Sequence, residues 1–172
     1  MKIKILPIAI FVIFFIIFLI FYKGLQNPNI YIPKTNLKNE LPSFNAKIFD
    51  TNDQISDDVI FENDKFYLVN IWASWCNPCR EEHFFLLDIK REKNIKIVGI
   101  NYKDNNENAK RFLKELGNPY DIILLDKNGT LAIEWGAYGV PETFLVYNKK
   151  IIKKIIGPIN KDLLKEIEKL IQ

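Results

Sequence analysis

The chain has 172 residues, 48% of them hydrophobic and 13% aromatic, which excludes a disordered polypeptide and fits one domain plus a tail. Its formal charge is +3, and Lys2, Lys4 and Lys23 are the only charged side chains before Lys34. Everything after Lys23 therefore sums to about zero, which excludes a basic patch of the kind nucleic acid requires.

Ile5 to Tyr22 is apolar, uncharged and flanked by lysines. As a helix it would cover ~27 Å, close to the hydrocarbon thickness of a bilayer. A cleaved signal peptide has a shorter apolar region ending in small residues, whereas this run ends Phe21-Tyr22-Lys23-Gly24-Leu25. Residues 1–23 are therefore expected to form an uncleaved N-terminal transmembrane helix. Lys2 and Lys4 keep the N-terminus cytoplasmic by the positive-inside rule, although Lys23 weakens the asymmetry. The remainder then faces a compartment where thiols can be oxidised. Residues 24–42, with Asn27-Pro28-Asn29, Pro33 and Pro42, read as a linker, and 43–172 as the domain.

Within that domain, Phe44 to Phe49 predicts a short strand, and Thr51-Asn52-Asp53-Gln54 a turn leading to a hairpin with Ile55. Phe66 to Trp72 is nearly continuous apolar sequence, as a central strand covered on both faces requires. Arg80 to Lys90 reads as a helix whose apolar face carries Phe84, Phe85, Leu86, Leu87 and Ile89. Ile95 to Tyr102 is a further strand. Ala109, Phe112, Leu113 and Leu116 give an amphipathic helix, capped by Asn105 or Asn106 and ended by Gly117 and Pro119. Asp121 to Leu125 predicts a third central strand, and Thr130 to Trp135 a short helical piece. Phe144 to Tyr147 and Ile151 to Ile156 pair across Asn148-Lys149-Lys150 as a hairpin. Leu163, Leu164, Ile167, Leu170 and Ile171 mark a terminal helix, with Asn160 as its cap. The order β-α-β-α-β then β-β-α implies an α/β fold, a mixed sheet with helices on both sides.

Trp75-Cys76-Asn77-Pro78-Cys79 holds the only two cysteines, between the most strand-like run and a helix. A helix N-terminus carries partial positive charge and free N–H groups, which favour thiolate over thiol. Thiolate is the species that attacks a disulfide, and the two-residue spacing lets the second sulfur close a ring with the first. A purely structural bridge so tight would constrain the unfolded chain little. Zinc needs about four ligands, and His83 is the only histidine. Covalent haem attachment needs Cys-x-x-Cys-His, and Arg80 occupies the last position. The pair reads as a redox-active centre.

Tryptophan before the Cys-x-x-Cys, with Val140-Pro141 before a late hairpin, resembles the thioredoxin superfamily. Asn70-Ile71-Trp72-Ala73-Ser74-Trp75-Cys76-Asn77-Pro78-Cys79-Arg80-Glu81-Glu82-His83 resembles the active-site segment of the CcmG/DsbE family. These are membrane-anchored thiol-disulfide interchange proteins of cytochrome c maturation. Val98 to Asp104, Leu113 to Tyr120 and Tyr138 to Phe144 resemble that family's next blocks, in order, and the likeness runs from about Leu41 to the C-terminus.

The resemblance implies a thioredoxin-like fold on a single-pass inner-membrane protein, its soluble domain in the periplasm. It also implies a reductant with no cofactor beyond the redox-active Cys76–Cys79 disulfide. Cys76 attacks a client disulfide and Cys79 resolves the mixed disulfide. The client is apocytochrome c or its thiol-handling assembly partner, and a transmembrane thiol reductase restores the dithiol. Pro141 is the cis-proline facing the cysteines. Glu82 corresponds to the family's acidic residue near the second thiol, where it accepts the Cys79 proton, because Asn70 occupies thioredoxin's titratable strand position. Glu142 joins it in an acidic groove, and Tyr138, Val140 and Trp75 face the client. His83 is expected on the helix surface, and Trp72 and Trp135 in the core. A general extracytoplasmic thiol reductase shares this chemistry, the acidic groove favouring the narrower client set. A copper-delivery protein on the same fold uses a wider cysteine spacing and a distant histidine, neither of which this sequence has.

Overall fold

The computed structural model describes residues 5–26, 40–51, 53–92 and 95–171. Asn52 of the expected turn, and residues 27–39 of the expected linker, lie outside them. The chain divides into two compact units, Met1–Asn36 and Leu37–Gln172.

The first unit contains helix α1, Ile5–Gln26. At 1.5 Å per residue its backbone is ~33 Å long. The side chains from Ile10 to Tyr22 are exposed on every side of the helix, so nothing in this unit buries them. Its described side chains run unbroken only from Ala9 to Lys23, and among the described residues no helix is long and apolar enough to cross a membrane.

The second unit runs β1 (Asn45–Ile48), β2 (Gln54–Ser56), α2 (Asp57–Ile60), β3 (Phe66–Trp72), α3 (Asn77–Glu92), β4 (Lys96–Tyr102) and α4 (Asn106–Leu116). There follow β5 (Ile122–Asp126), α5 (Thr130–Glu134), β6 (Glu142–Tyr147), β7 (Lys150–Ile156) and α6 (Lys161–Ile171). The strands form one sheet in the order β2-β1-β5-β4-β3-β6-β7. β3, β4 and β5 are mutually parallel, and the outer pairs are antiparallel. The sheet is thus mixed and carries helices on both faces. The one helix absent from the sequence reading is α2, a single turn too short for a periodic pattern. Glu40 bridges to Lys150, which draws the end of the expected linker onto the first residue of β7.

Period-2 alternation along β3 distributes its side chains between two core layers. Leu68 and Trp72 join Leu86 and Ile89 of α3, Ala109 and Phe112 of α4, and Ile167 of α6. Tyr67, Val69 and Ile71 join Phe61, Leu131, Ala132 and Trp135 on the opposite face. Trp72 and Trp135 are both in the core. A register shift between Leu145 and Val146 marks a bulge in the β6–β7 pairing. Ile151 and Ile155, four apart, therefore enter different layers, because one extra residue inverts the alternation beyond it.

Caps fall where the sequence places them. The Asn105 side chain accepts from Glu107 N–H and Asn108 N–H at the start of α4, and Asn160 accepts from Asp162 and Leu163 N–H at the start of α6. Gly99 answers a different demand. A Cβ there would stand 2.9 Å from both Trp72 Nε1 and Tyr120 Cδ1. Those two rings stack with centroids 5.3 Å apart, so neither yields easily. Gly99→Ala is expected to lower unfolding free energy by roughly 1–3 kcal/mol through overpacking, measured by urea denaturation.

Candidate active site

The site is built at the end of β3. After Trp72 the chain leaves the sheet through Ala73-Ser74-Trp75, and Cys76 immediately precedes α3. Cys76 and Cys79 form a disulfide, with Cα atoms 5.3 Å apart. The Cys79 N–H, in the first turn, donates to Cys76 Sγ at 3.1 Å. A donor aimed at that sulfur favours negative charge on it once the bridge opens. Cys76 is 5% exposed and Cys79 2%, so Cys76 is the more accessible by a small margin. Beside them Trp75 is 57% exposed, its indole N–H donating to the Lys103 carbonyl at 3.2 Å.

Asp104 holds the turn that carries Trp75. One carboxylate oxygen accepts from Ser74 N–H at 2.6 Å and from Asn101 Nδ2 at 2.9 Å. The other accepts from Ser74 Oγ and Asn105 N–H, both at 2.7 Å. Four donors on one largely buried carboxylate tie the redox turn to the start of α4. Sequence reasoning left this residue without a role. The available signal was an aspartate immediately before a capping asparagine.

Glu82 lies one turn beyond Cys79 on α3 and is fully buried, unlike the solvated glutamates common in the first turns of helices. Its Oε1 accepts from Asn70 Nδ2 at 2.7 Å, and its Oε2 from Ile159 N–H at 2.8 Å. Asn70 also donates to Thr143 Oγ1 at 2.9 Å and accepts from Tyr120 OH at 2.9 Å. The side chain of Asn70 is thus fully employed inside an otherwise apolar strand. Burial raises the Glu82 carboxyl from 4.5 to about 7, against the lowering effect of the Ile159 and Asn70 hydrogen bonds. Burial, with the nearby Glu82 charge, also pushes the Tyr120 hydroxyl well above its ordinary value.

Three expectations need correction, two of them on α3. His83 is not a surface histidine: it is 1% exposed, its Nε2 bonding the Gly117 carbonyl at 2.9 Å, with Phe112 edge-on to the ring. It fastens the end of α4 to α3, which explains its place on the apolar side. Burial lowers its pKa; the Gly117 hydrogen bond opposes this and Arg80 adds to it. Conversely Phe84, placed on the apolar face from sequence, is exposed.

The acidic groove is the third correction. Glu142 is 1% exposed. Its Oε1 accepts from Tyr138 N–H at 2.6 Å and Gly139 N–H at 3.1 Å. Its Oε2 lies 2.8 Å from Lys154 Nζ, an ion pair outside hydrogen-bond alignment. Both carboxylates are internal and engaged; Glu142 contributes to the lining of the groove beside Pro141, but with its charge paired rather than presented as an open acidic surface. The peptide bond between Val140 and Pro141 is cis. Val140 packs on the cluster that holds both cysteines. Tyr138, Val140, Pro141 and Ile156 line a groove of about 260 Å³, and Tyr138 is 53% exposed. Among the described residues no group of histidines, cysteines and carboxylates could hold a metal ion.

Between pH 4.5 and about 7 the buried Glu82 stays protonated while the same carboxyl in the unfolded chain ionises. The native state then binds more protons, so rising pH destabilises it through this window. Relative to Glu82→Gln, the bridged protein is expected to lose on the order of 3 kcal/mol of stability across that range. Denaturant unfolding of both proteins at intervals of pH measures the difference. A constant difference would place the ionisation elsewhere.

The Redoxin family model matches residues 37–171. The thiol:disulfide interchange protein DsbE of Allochromatium vinosum is 37% identical over 161 residues, covering 92% of this chain and 86% of that protein. The thiol:disulfide interchange protein CycY of Rhizobium leguminosarum bv. viciae is 52% identical over 103 residues, 59% of this chain and 55% of that one. The chain thus spans little more than half the length of this second relative. A solved thiol:disulfide interchange protein of the thioredoxin family from Chlorobium tepidum TLS matches with a TM-score of 0.62 and 25% identity, over 76% of this chain and 94% of that one. A mixed α/β sheet with a bridged Cys-x-x-Cys before α3, in these relatives' company, is a thioredoxin-like fold, and the chain belongs to the Redoxin family as a CcmG/DsbE-type thiol:disulfide interchange protein, a thiol-disulfide oxidoreductase.

Proposed function

We propose that the protein is a membrane-anchored reductant of disulfides in apocytochrome c, or in the partner that handles its thiols, during cytochrome c maturation. The observation that carries the reading is the Cys76–Cys79 bridge at the head of α3, with the Cys79 N–H on Cys76 Sγ. In the dithiol form, Cys76 thiolate attacks one sulfur of a client disulfide, forming a mixed disulfide and releasing the other client sulfur as thiolate. Cys79 then attacks Cys76 Sγ, which frees the second client thiol and leaves the Cys76–Cys79 bridge. Two electrons pass to the client, and a transmembrane thiol reductase returns two. The disulfide is the redox centre, with no further cofactor.

Glu82 supports the resolving step. A carboxyl poised at about 7 accepts a thiol proton more readily than an ordinary glutamate, and the helical spacing puts it on a face neighbouring Cys79. Glu82 ionises first, and its carboxylate then opposes a second negative charge on Cys79, so Cys79 is expected to titrate at lower pH in Glu82→Gln; an unaltered Cys79 titration, followed by alkylation of the reduced protein, would remove this role. Trp75, Tyr138, Val140 and Pro141 form the client-facing surface. Glu142 belongs to that surface through the backbone it holds rather than through an exposed charge.

Anchoring is supported by α1, whose exposed apolar side chains call for a lipid environment. With Lys2 and Lys4 on the cytoplasmic side, the oxidoreductase domain stands in the periplasm. A general extracytoplasmic reductase is the second reading. It gains ground from the burial of Glu82 and Glu142, because the charged groove that argued for few clients is closed. Cys79→Ala separates the two, since it leaves the mixed disulfide unresolved. Capture through Cys76 of a protein carrying Cys-x-x-Cys-His, or of its thiol-handling partner, is expected. Capture of unrelated exported proteins alone would favour the second reading.

A further inference from the structure

We propose that Lys154 is a positioning residue for client capture, holding the loop from Gly136 to Glu142 so that an apolar client side chain finds its seat beside Pro141. The inference rests on the client-reduction reading above. Lys154 stands on β7 opposite Phe144, with its side chain 11% exposed. Its Nζ donates to the Gly136 carbonyl at 2.7 Å and lies 2.8 Å from Glu142 Oε2. The same ammonium sits 4.1 Å from the centroid of the Tyr138 ring and 5.5 Å from that of Phe144. The other Glu142 oxygen takes the N–H groups of Tyr138 and Gly139. One ammonium and one carboxylate thus grip the loop between α5 and β6 at its start, its middle and its end.

A lysine so enclosed is unfavourable unless its charge is paired and its donors are used. Here every contact it makes is to the loop or to the strand that continues it. The effect is felt on the outer surface of the same loop. Tyr138 has one face on the ammonium and remains half exposed, so swinging the ring away would forfeit the cation–π contact. It forms one wall of the groove completed by Val140, Pro141 and Ile156. Glu142 contributes to the lining with its charge offset by Lys154 behind it, and the remaining lining is aliphatic, aromatic or glycine. Such a groove receives an apolar side chain next to the client cysteine. Fixing its wall in advance removes an ordering cost from capture.

The full-length chain in detergent provides the test. Lys154→Met removes the ammonium at nearly constant volume, and Lys154→Arg keeps the charge. Amide hydrogen exchange at Tyr138 and Gly139, read by NMR, reports the grip directly. Single-turnover reduction by the pre-reduced chain reports its use. The two substrates are a cyclic disulfide peptide with phenylalanine next to its Cys-x-x-Cys-His segment, and bis(2-hydroxyethyl) disulfide, which carries no apolar side chain to place in the groove.

In Lys154→Met, exchange at both amides is expected to rise at least about tenfold, with the half-saturating peptide concentration up about tenfold. The limiting rate and the reaction with the small disulfide should stay within about twofold, and Lys154→Arg should recover most of both losses. Unchanged exchange overturns the proposal, as does an equal loss on peptide and small disulfide. If the unaltered chain reduces the small disulfide but ignores the peptide, the client reading fails, and exchange alone then decides the grip. Should Lys154→Met not fold, Lys154→Gln is measured in the same way.

Discussion

The structure depends on keeping a carboxyl group away from water directly behind the cysteine-bearing turn of α3. Glu82 has no solvent to satisfy it, so the fold must bring donors from elsewhere. Asn70 arrives from the middle of β3 and the Ile159 N–H from the segment leading into α6. These two contacts join the central strand, the redox helix and the terminal helix around one side chain. Asn70 in turn engages Thr143 on β6 and Tyr120 ahead of β5. An unmade hydrogen bond here would be expensive, because each group is buried. The network therefore specifies how the elements meet more sharply than apolar packing alone could.

Two further carboxylate charges are likewise managed inside the protein. Glu142 directs its charge onto Lys154 and two backbone amides. Asp104 directs its own onto the turn before Cys76 and the start of α4. Outside, the exposed Trp75 shares a hollow with Arg80, Arg111, Phe112 and Glu115, so charge remains at the surface beside the barely exposed Cys76.

Much of the architecture could be read from local pattern. The run Phe66 to Trp72 is a strand with those very ends, because continuous apolar sequence of that length suits a strand covered on both faces. Asn105 and Asn160 cap their helices since a short amide at that position has few better uses. The cysteine pair was legible from its two-residue spacing and from the helix-forming run after Cys79. Other features depend on contacts remote in sequence. Nothing local tells His83 apart from a surface histidine; its partner, Gly117, is 34 residues away. The burial of Glu142 required knowing that Lys154 lies across the β6–β7 pairing. Asn70 was the exception, visible in the sequence as a lone amide in a strand otherwise apolar or aromatic, although its partners Glu82, Thr143 and Tyr120 were not.

The two core layers have one more implication. Cys76, Cys79 and the groups behind them belong to the layer under α3, α4 and α6. The loop from Gly136 to Glu142 is anchored from the other side, where Trp135, Phe144 and Lys154 meet. On the proposed role of that loop, sulfur chemistry and partner grip are furnished by different halves of the interior, with Val140 packed against both. Variation within a lineage could retune either property while leaving the other undisturbed, and one scaffold could in this way acquire new correspondents without relearning its electron transfer.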